Sequence, residues 1–170
     1  KKKKIKILVK KKIIYAGNIG IGQSIHHLLP NIAKINKNYS YEVIGDGGKI
    51  LDLKKKICDL DLKNIKLIKP MKRIKLIKKL HTAEILLLNL ADYKALKNVI
   101  PSKLFEYILF KKPIVAGFKG FIRKYSKKNF DNILCYNNPK ECYDKIKLVL
   151  DKKKKFIFKR NYKEFNRENI

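Results

Sequence analysis

The sequence predicts an α/β fold, a Rossmann-like three-layer α/β/α domain with a parallel sheet of about six strands. Short aliphatic and β-branched runs alternate with amphipathic stretches of helical period along the chain. This alternation is typical of a parallel sheet that helices cover on both faces. A length of 170 residues with 45% apolar residues is enough for one domain with a substantial core.

The strands are predicted where short apolar runs are bounded by glycine, proline or polar residues. The run at 85–90 is the most apolar, which places it in the centre of the sheet. The predicted strands are residues 12–16, 40–44, 65–68, 85–90, 114–117 and 132–136.

The helices are predicted between the strands, where apolar residues recur at three- and four-residue intervals. The clearest helix start combines Asn138 as the cap, Pro139 in the first position and Glu141 in the third. Pro30 lies within the first predicted helix and indicates either a kink or a late start. The predicted helices are residues 23–34, 50–59, 73–81, 103–110, 121–125, 139–150 and 162–169, with a polar loop at 91–102.

The net charge of +29 raises the question of nucleic-acid binding. Only four of the 43 basic residues are arginine, whereas base-reading surfaces favour the arginine fork. The lysines are also spread along the whole chain. We therefore interpret the charge as compositional bias, combined with weak attraction to an anionic membrane surface.

The composition also bears on compartment and metal binding. No run approaches the roughly 18 apolar residues of a membrane span, and no signal peptide is evident. Three cysteines without metal-ligand spacing fit a reducing compartment, so we expect a cytoplasmic protein that could lie peripherally at the inner face of the membrane. The pair His26-His27 lacks cysteine or carboxylate partners at ligand spacing, so no metal is expected.

A glycine-rich segment, GNIGIG at residues 17–22, follows the first predicted strand and opens a helix. Its backbone N–H groups could approach a phosphate, or the glycines could simply form a tight turn at positive φ. The spacing is neither the dinucleotide fingerprint nor a P-loop. Asp46, after the second strand, could contact a ribose, although its G-D-G-G setting equally indicates a turn.

The segment 100–117, IPSKLFEYILFKKPIVAG, carries the strongest functional signal. A short helix follows Pro101 and Ser102, and a buried strand follows that helix. Glu106 is the single carboxylate among apolar neighbours on the helix. It is well placed to accept hydroxyl groups of a ligand whose anionic part lies near the helix start, where Lys103 could meet a phosphate.

Several segments in order resemble the C-terminal, donor-binding domain of GT-B glycosyltransferases, specifically the family 4 (group 1) retaining enzymes. The similarity is greatest to bacterial enzymes that transfer amino sugars in surface-polysaccharide synthesis. The matching segments are YAGNIGIGQSIHHLLP (15–30), VIGDGG (43–48), NIKLIKPM (64–71), HTAEILLLNL (81–90), VIPSKLFEYILFKKPIVAG (99–117) and NYKEFNRENI (161–170).

The resemblance implies a nucleotide-diphosphate sugar as donor, with UDP as the expected nucleotide, and no metal or other cofactor. Glu106 corresponds to the second glutamate of the family's E-x7-E motif and would bind the ribose hydroxyls. The base would lie against the backbone of Pro70, Met71 and Lys72. The remaining implied residues, all for the donor phosphates and sugar, are Gly17, Asn18, Gly20, Gly22, Asn98, Ser102 and Lys103.

The chain departs from the family pattern at two places. Asn98 stands where the first glutamate of the motif is expected, and Asn18-Ile19 stands where a basic pair is usual. Lys103 or Lys97 would then have to serve as the cation for the leaving diphosphate.

The resemblance also implies a domain arrangement. Residues 1–11 would be a boundary segment, 12–155 the nucleotide-sugar-binding domain, and 156–170 a helical segment packing toward an N-terminal acceptor domain. Without that domain, the chain is expected to bind donor but not transfer the sugar. Two alternatives stay open from the residues alone: a basic nucleic-acid-binding module, and a dinucleotide-binding oxidoreductase domain that uses Asp46.

Overall fold

The computed structural model describes residues 11–151. The predicted helix at 162–169, and almost all of the predicted boundary and C-terminal segments, lie outside these residues. Within 11–151, six strands form one parallel sheet in the order β3-β2-β1-β4-β5-β6. The strands are β1 (Lys11–Ala16), β2 (Tyr39–Ile44), β3 (Ile65–Ile68), β4 (Ile85–Asn89), β5 (Ile114–Gly117) and β6 (Ile133–Cys135).

Helices connect successive strands, as the alternating pattern predicts. They are α1 (Ile25–Ala33), α2 (Ile50–Asp59), α3 (Arg73–His81), α4 (Ser102–Ile108), α5 (Gly120–Asn129) and α6 (Pro139–Leu150). The loop predicted at 91–102 contains a short 3-10 helix, Lys94–Asn98. The three-layer α/β/α prediction is confirmed.

Three helices, α1, α4 and α5, have ends that differ from the prediction; α4 spans Ser102–Ile108, whereas 103–110 is predicted. Helix α1 begins at Ile25 rather than residue 23, because Ser24 adopts a left-handed conformation (φ 49°) and donates its N–H to the carbonyl of Gly20. Pro30 lies well inside this helix, so a late start at that residue is wrong. Helix α5 extends beyond 121–125, because one face, with Ile122 and Ser126 buried, continues to be covered by the core.

The core consists of two apolar clusters, one on each face of the sheet. Alternation along β1 assigns Ile13 and Tyr15 to one cluster and Ile14 and Ala16 to the other. The first cluster packs against α1, α2 and α6, and the second includes residues of α4 and α5. Both faces of β1 and β4 are therefore buried, as the apolar run at 85–90 predicts.

The strand order changes direction between β1 and β4, which are neighbours at the centre of the sheet. Their registered pairing ends at Ile14 and Leu86, so the last residues of both strands diverge. Crevices at such a switch point, outside the carboxyl ends of the strands, are where open α/β sheets bind ligands. Among residues 11–151, no helix has the length and apolar character needed to cross a membrane.

Candidate functional site

A cavity of about 340 Å³ opens at this switch point, and we call it the switch-point cavity. The surface that lines it is largely apolar. Three segments line it: the end of β1 with the glycine-rich loop, the end of β4, and the chain leading into α4. The lining residues are Tyr15, Ala16, Gly17, Asn18, Gln23, Leu88, Asn89, Leu90, Leu96, Val99, Pro101, Ser102, Lys103 and Phe118.

The glycine-rich loop is held in place by backbone hydrogen bonds to the turn after β2. Ile19 N–H donates to the carbonyl of Asp46 at 2.7 Å, and Lys49 N–H donates to the carbonyl of Ile19 at 2.8 Å. The Tyr15 hydroxyl donates to the carbonyl of Asn18 at 2.5 Å. These hydrogen bonds within the protein fix the shape of the loop.

Two of the positive-φ glycines, Gly45 and Gly47, lie in the turn after β2, and a third, Gly120, begins α5. None of them lies in the glycine-rich loop. Gly45 and Gly47 have φ values of 150° and 151°, and a Cβ on Gly45 would lie 1.9 Å from the carbonyl oxygen of Gly17. The expectation of positive φ for the glycines at 17–22 is wrong. These two glycines let the two loops pack directly against each other.

Asp46 serves this turn rather than the cavity. Its carboxylate accepts a 2.8 Å hydrogen bond from the N–H of Gly47, and the residue does not line the switch-point cavity. The arrangement matches the turn interpretation of the G-D-G-G segment.

Helix α4 is fixed to the end of β1 by the completely buried side chain of Tyr107. Ala16 N–H donates to the tyrosine oxygen at 2.8 Å, and the hydroxyl lies 3.3 Å from the carbonyl oxygen of Ala16. The hydroxyl therefore satisfies the backbone at the point where β1 and β4 diverge. This contact sets the start of α4, with Ser102 and Lys103, against the glycine-rich loop.

Lys103 and Glu106 form a salt bridge at 2.7 Å, with their side chains 29% and 14% exposed. Lys103 lines the switch-point cavity, whereas Glu106 lines an adjoining groove of about 240 Å³. We call this the α3–α4 groove; its lining residues are Arg73, Ile77, His81, Glu106, Leu109 and Phe110. The ion pair thus joins two neighbouring concave surfaces.

The second candidate cation, Lys97, is held away from the switch-point cavity. Its ammonium lies 3.2 Å from the carboxylate of Asp92, which also pairs with Lys119 at 2.5 Å. Hydrogen bonds from Lys119 and Lys97 lower the pKa of Asp92, so this carboxylate is ionised at neutral pH. Lys103 is the only one of the two candidates that faces the cavity.

The adjacent pair His26 and His27 lies outside both concave surfaces. Their rings are 4.2 Å apart, and the Nδ1 atom of His27 is 2.9 Å from the Lys56 ammonium. Burial, together with the nearby His27 and Lys56, lowers the pKa of His26. Within the described part of the chain, no cluster of three or more His, Cys, Asp or Glu side chains is arranged to hold a metal ion.

Comparison with known protein families shows which family the chain belongs to. The family model described as Glycosyl transferases group 1 matches residues 1–168. The chain belongs to the group 1 glycosyltransferases. The predicted resemblance to the GT-B enzymes is therefore confirmed.

Solved structures show the same fold at low sequence identity. Anabaena HepE in complex with UDP has a TM-score of 0.70 and 14% identity, over 86% of this chain and 41% of that one. TarM from S. aureus, in a complex containing UDP, has a TM-score of 0.67 and 18% identity, over 84% and 29% of the two chains. The catalytic domain of cholesterol-α-glucosyltransferase from Helicobacter pylori has a TM-score of 0.67 and 17% identity, over 85% and 88%. A search of curated proteins found no match.

This group 1 glycosyltransferase chain thus spans about two fifths of the HepE structure. Of its predicted site residues, the fold brings Gly17, Asn18, Ser102 and Lys103 to the switch-point cavity. Glu106 lies one helical turn away in the α3–α4 groove.

The other predicted site residues line neither concave surface. Gly22 faces Leu96, and Gly20 packs against the side chains of Asn18 and Gln23. Asn98 is exposed at the end of the 3-10 helix. Before α3, Pro70 and Lys72 are exposed and Met71 packs partly against the core. These assignments stay predictions.

Sequence reasoning missed two polar residues of the switch-point cavity, Gln23 and Asn89. Asn89 had a usable signal, because it is the lone polar residue ending an otherwise apolar central strand. Such a residue stands at the sheet edge where ligands bind. Gln23 follows the last loop glycine and carried no comparable signal.

Proposed function

We propose that the chain is the donor-binding domain of a retaining glycosyltransferase that uses a nucleotide-diphosphate sugar, with UDP as the nucleotide. One observation carries the proposal: the switch-point cavity brings the glycine-rich loop and Lys103 together, with Glu106 directly beside Lys103. The solved complexes of HepE with UDP and with UDP-glucose, which share the fold, support the choice of nucleotide.

Lys103 is proposed to neutralise the donor diphosphate. It replaces the absent basic pair, because Lys97 is paired with Asp92 outside the cavity. In a partly enclosed site a single ammonium contributes more to binding an anion than it would in bulk water. No metal is required for this role, since the cation and the loop N–H groups together supply positive charge.

Glu106 is proposed to accept the ribose hydroxyls. Nucleotide binding would then separate the Lys103–Glu106 ion pair. The ammonium of Lys103 would bind phosphate, and the carboxylate of Glu106 would accept hydrogen bonds from the ribose hydroxyls. Both groups stay satisfied throughout, which limits the cost of opening a pair that is mostly buried. The base would extend toward the backbone of Pro70, Met71 and Lys72.

A second, acceptor-binding domain is proposed to cover the carboxyl edge of the sheet. Several large apolar side chains are exposed in loops or first helical turns along this edge: Ile21, Leu51, Ile74, Tyr93, Val99 and Phe121. A second domain packed on this edge would remove these apolar side chains from water. Transfer to a glycan or lipid-linked acceptor, in cytoplasmic synthesis of bacterial surface polysaccharide at the inner membrane face, fits the charge of +29.

Calorimetric titration of the 170-residue chain with UDP, uridine and pyrophosphate tests these roles. Glu106→Ala should weaken UDP and uridine about tenfold, since one charged hydrogen-bond acceptor for ribose is lost. It should not weaken pyrophosphate, because Lys103 no longer has to leave an ion pair to bind it. Lys103→Met should weaken UDP and pyrophosphate and spare uridine. Lys97→Met is the matched control and should bind all three like wild type.

The proposal fails if wild type shows no saturable binding of UDP at millimolar concentration. Equal losses of UDP and pyrophosphate in Glu106→Ala would contradict the ribose assignment alone. A nucleic-acid module would behave differently, because its affinity would fall steeply with salt and would not respond to UDP.

A further inference from the structure

Asn89 ends the central strand β4 and uses both polar atoms of its side chain. Its amide nitrogen donates to the carbonyl oxygen of Gln23 at 2.7 Å. Its amide oxygen accepts from the hydroxyl of Tyr136, also at 2.7 Å. Because a carbonyl can only accept, the nitrogen must face Gln23, and the oxygen therefore faces Tyr136. The orientation of the amide is fixed by its two partners.

The same strand end makes a second bond to the glycine-rich loop. Ala91 N–H donates to the carbonyl oxygen of Gly22 at 2.8 Å, next to the Asn89 bond to Gln23. Two consecutive carbonyls, those of Gly22 and Gln23, are thus held by Ala91 and Asn89, at and just after the end of β4. The Gln23 side chain continues the chain of bonds, since its oxygen accepts from the Asn18 amide at 3.1 Å. Both Asn18 and Gln23 line the switch-point cavity.

We propose that Asn89 is a positioning residue for the donor diphosphate. It acts through the Gln23 carbonyl, holding the second half of the glycine-rich loop in the shape that binds phosphate, and Tyr136 fixes its amide. The inference rests on the proposed function, since it assigns a role within the same nucleotide site. Loss of the Asn89 amide should release residues 22–24 and selectively weaken ligands that carry a diphosphate.

The test compares Asn89→Ala with Asn64→Ala in the 170-residue chain. Asn64 is a matched control, because its buried amide likewise donates to the backbone, at the carbonyls of Ala33 and Asn36, away from the site. Asn89→Ala should weaken UDP about tenfold with uridine unchanged, and speed hydrogen exchange at 22–24. Asn64→Ala should be less stable but keep the wild-type ratio of UDP to uridine affinity.

Two further variants test the two hydrogen bonds of the Asn89 side chain separately. Asn89→Asp keeps an acceptor for Tyr136 but cannot donate to Gln23, and its carboxylate adds a negative charge to the switch-point cavity, so it should weaken UDP at least as much as the alanine variant. Tyr136→Phe removes only the fixing hydroxyl and should weaken UDP by a smaller factor, about threefold.

The outcomes distinguish failure of this inference from failure of the proposed function. If wild type binds UDP and Asn89→Ala binds it equally well, the positioning role is overturned while the function stands. If Asn89→Ala weakens UDP and uridine by the same factor, as a general loss of structure would, the role is also overturned. If wild type does not bind UDP, both are overturned.

Discussion

At the scale of single residues, Tyr107 connects the core to the candidate site. Its ring is completely buried beneath α4, and its hydroxyl bonds to both the N–H and the carbonyl of Ala16. Ala16 is registered with Ile44 of β2, but it lies beyond the last registered β1–β4 pair, so β4 does not pair with it on the other side. The side chain therefore takes the place of a strand at the switch point.

Tyr107→Phe should lower the free energy of unfolding by about 1–3 kcal/mol, because it leaves the buried Ala16 N–H without an acceptor. Urea unfolding followed by circular dichroism measures this change. Tyr93→Phe is the control: Tyr93 is exposed in the loop after β4, and its substitution should change stability by no more than about 0.5 kcal/mol. Equal stability of Tyr107→Phe and wild type would show that the hydroxyl contributes nothing.

His26 should make stability depend on pH near neutrality. Its folded-state pKa is lowered, first by burial and then by neighbouring positive charge, so the unfolded chain binds this proton more tightly. The stabilisation of the folded state by neutral His26 is present above about pH 6.5, the pKa of histidine in the unfolded chain. It is lost as the pH falls below that value, because the unfolded chain then takes up the proton more readily.

His26→Asn should therefore flatten the pH dependence of the unfolding free energy between about pH 5 and pH 7, where the wild-type slope from one histidine is at most about 1.4 kcal/mol per pH unit. Urea midpoints measured across this range give the slope. An unchanged slope in the variant would assign the dependence to other groups.

At the scale of elements, the close approach of β5 to its neighbours depends on Gly117. A Cβ there would lie 2.2 Å from the amide oxygen of Asn89 and 2.8 Å from the hydroxyl of Tyr136. Neither group can retreat, because each is packed at a strand end and hydrogen-bonded to the other. The glycine is required for space and not for its backbone angle.

Gly117→Ala should cost about 1–3 kcal/mol of stability through overpacking at this position. The matched control is Gly48→Ala, where a Cβ would meet nothing within 4 Å, and its unfolding free energy should lie within about 0.5 kcal/mol of wild type. Thermal and urea unfolding of both variants provide the comparison. A tolerated alanine at 117 would mean that the Asn89–Tyr136 contact is not rigid.

The elements predicted best were those with a complete local signal. The boundaries of α2, α3, β3 and β5 agree with the prediction, since each combines a clear period with a breaker at its end. Helix α5 was predicted too short, because the lysines of its second half hide a buried face that only the tertiary contacts show. The start of α1 depends on the backbone of Ser24, which no residue pattern specifies.

At the scale of the whole molecule, the switch point explains why the site could be predicted only in part. The sequence places the glycine-rich loop and the segment at 101–106 at the same edge of a parallel sheet, and the strand order brings them together. The division of Lys103 and Glu106 between two concave surfaces could not be predicted, because it depends on how α4 packs beside α3. The contact of Asn89 with Gln23 joins residues far apart in sequence and has no local signature.

The most direct test of the account is a heteronuclear NMR titration of the 170-residue chain with UDP at high salt, where nonspecific attraction to the lysine-rich surface is screened. The account predicts saturable shifts concentrated at residues 17–23, 89–91 and 101–106, with smaller changes along the start of α3. Shifts scattered over the surface lysines, or no saturable change at millimolar UDP, would contradict a nucleotide-sugar site at the switch point.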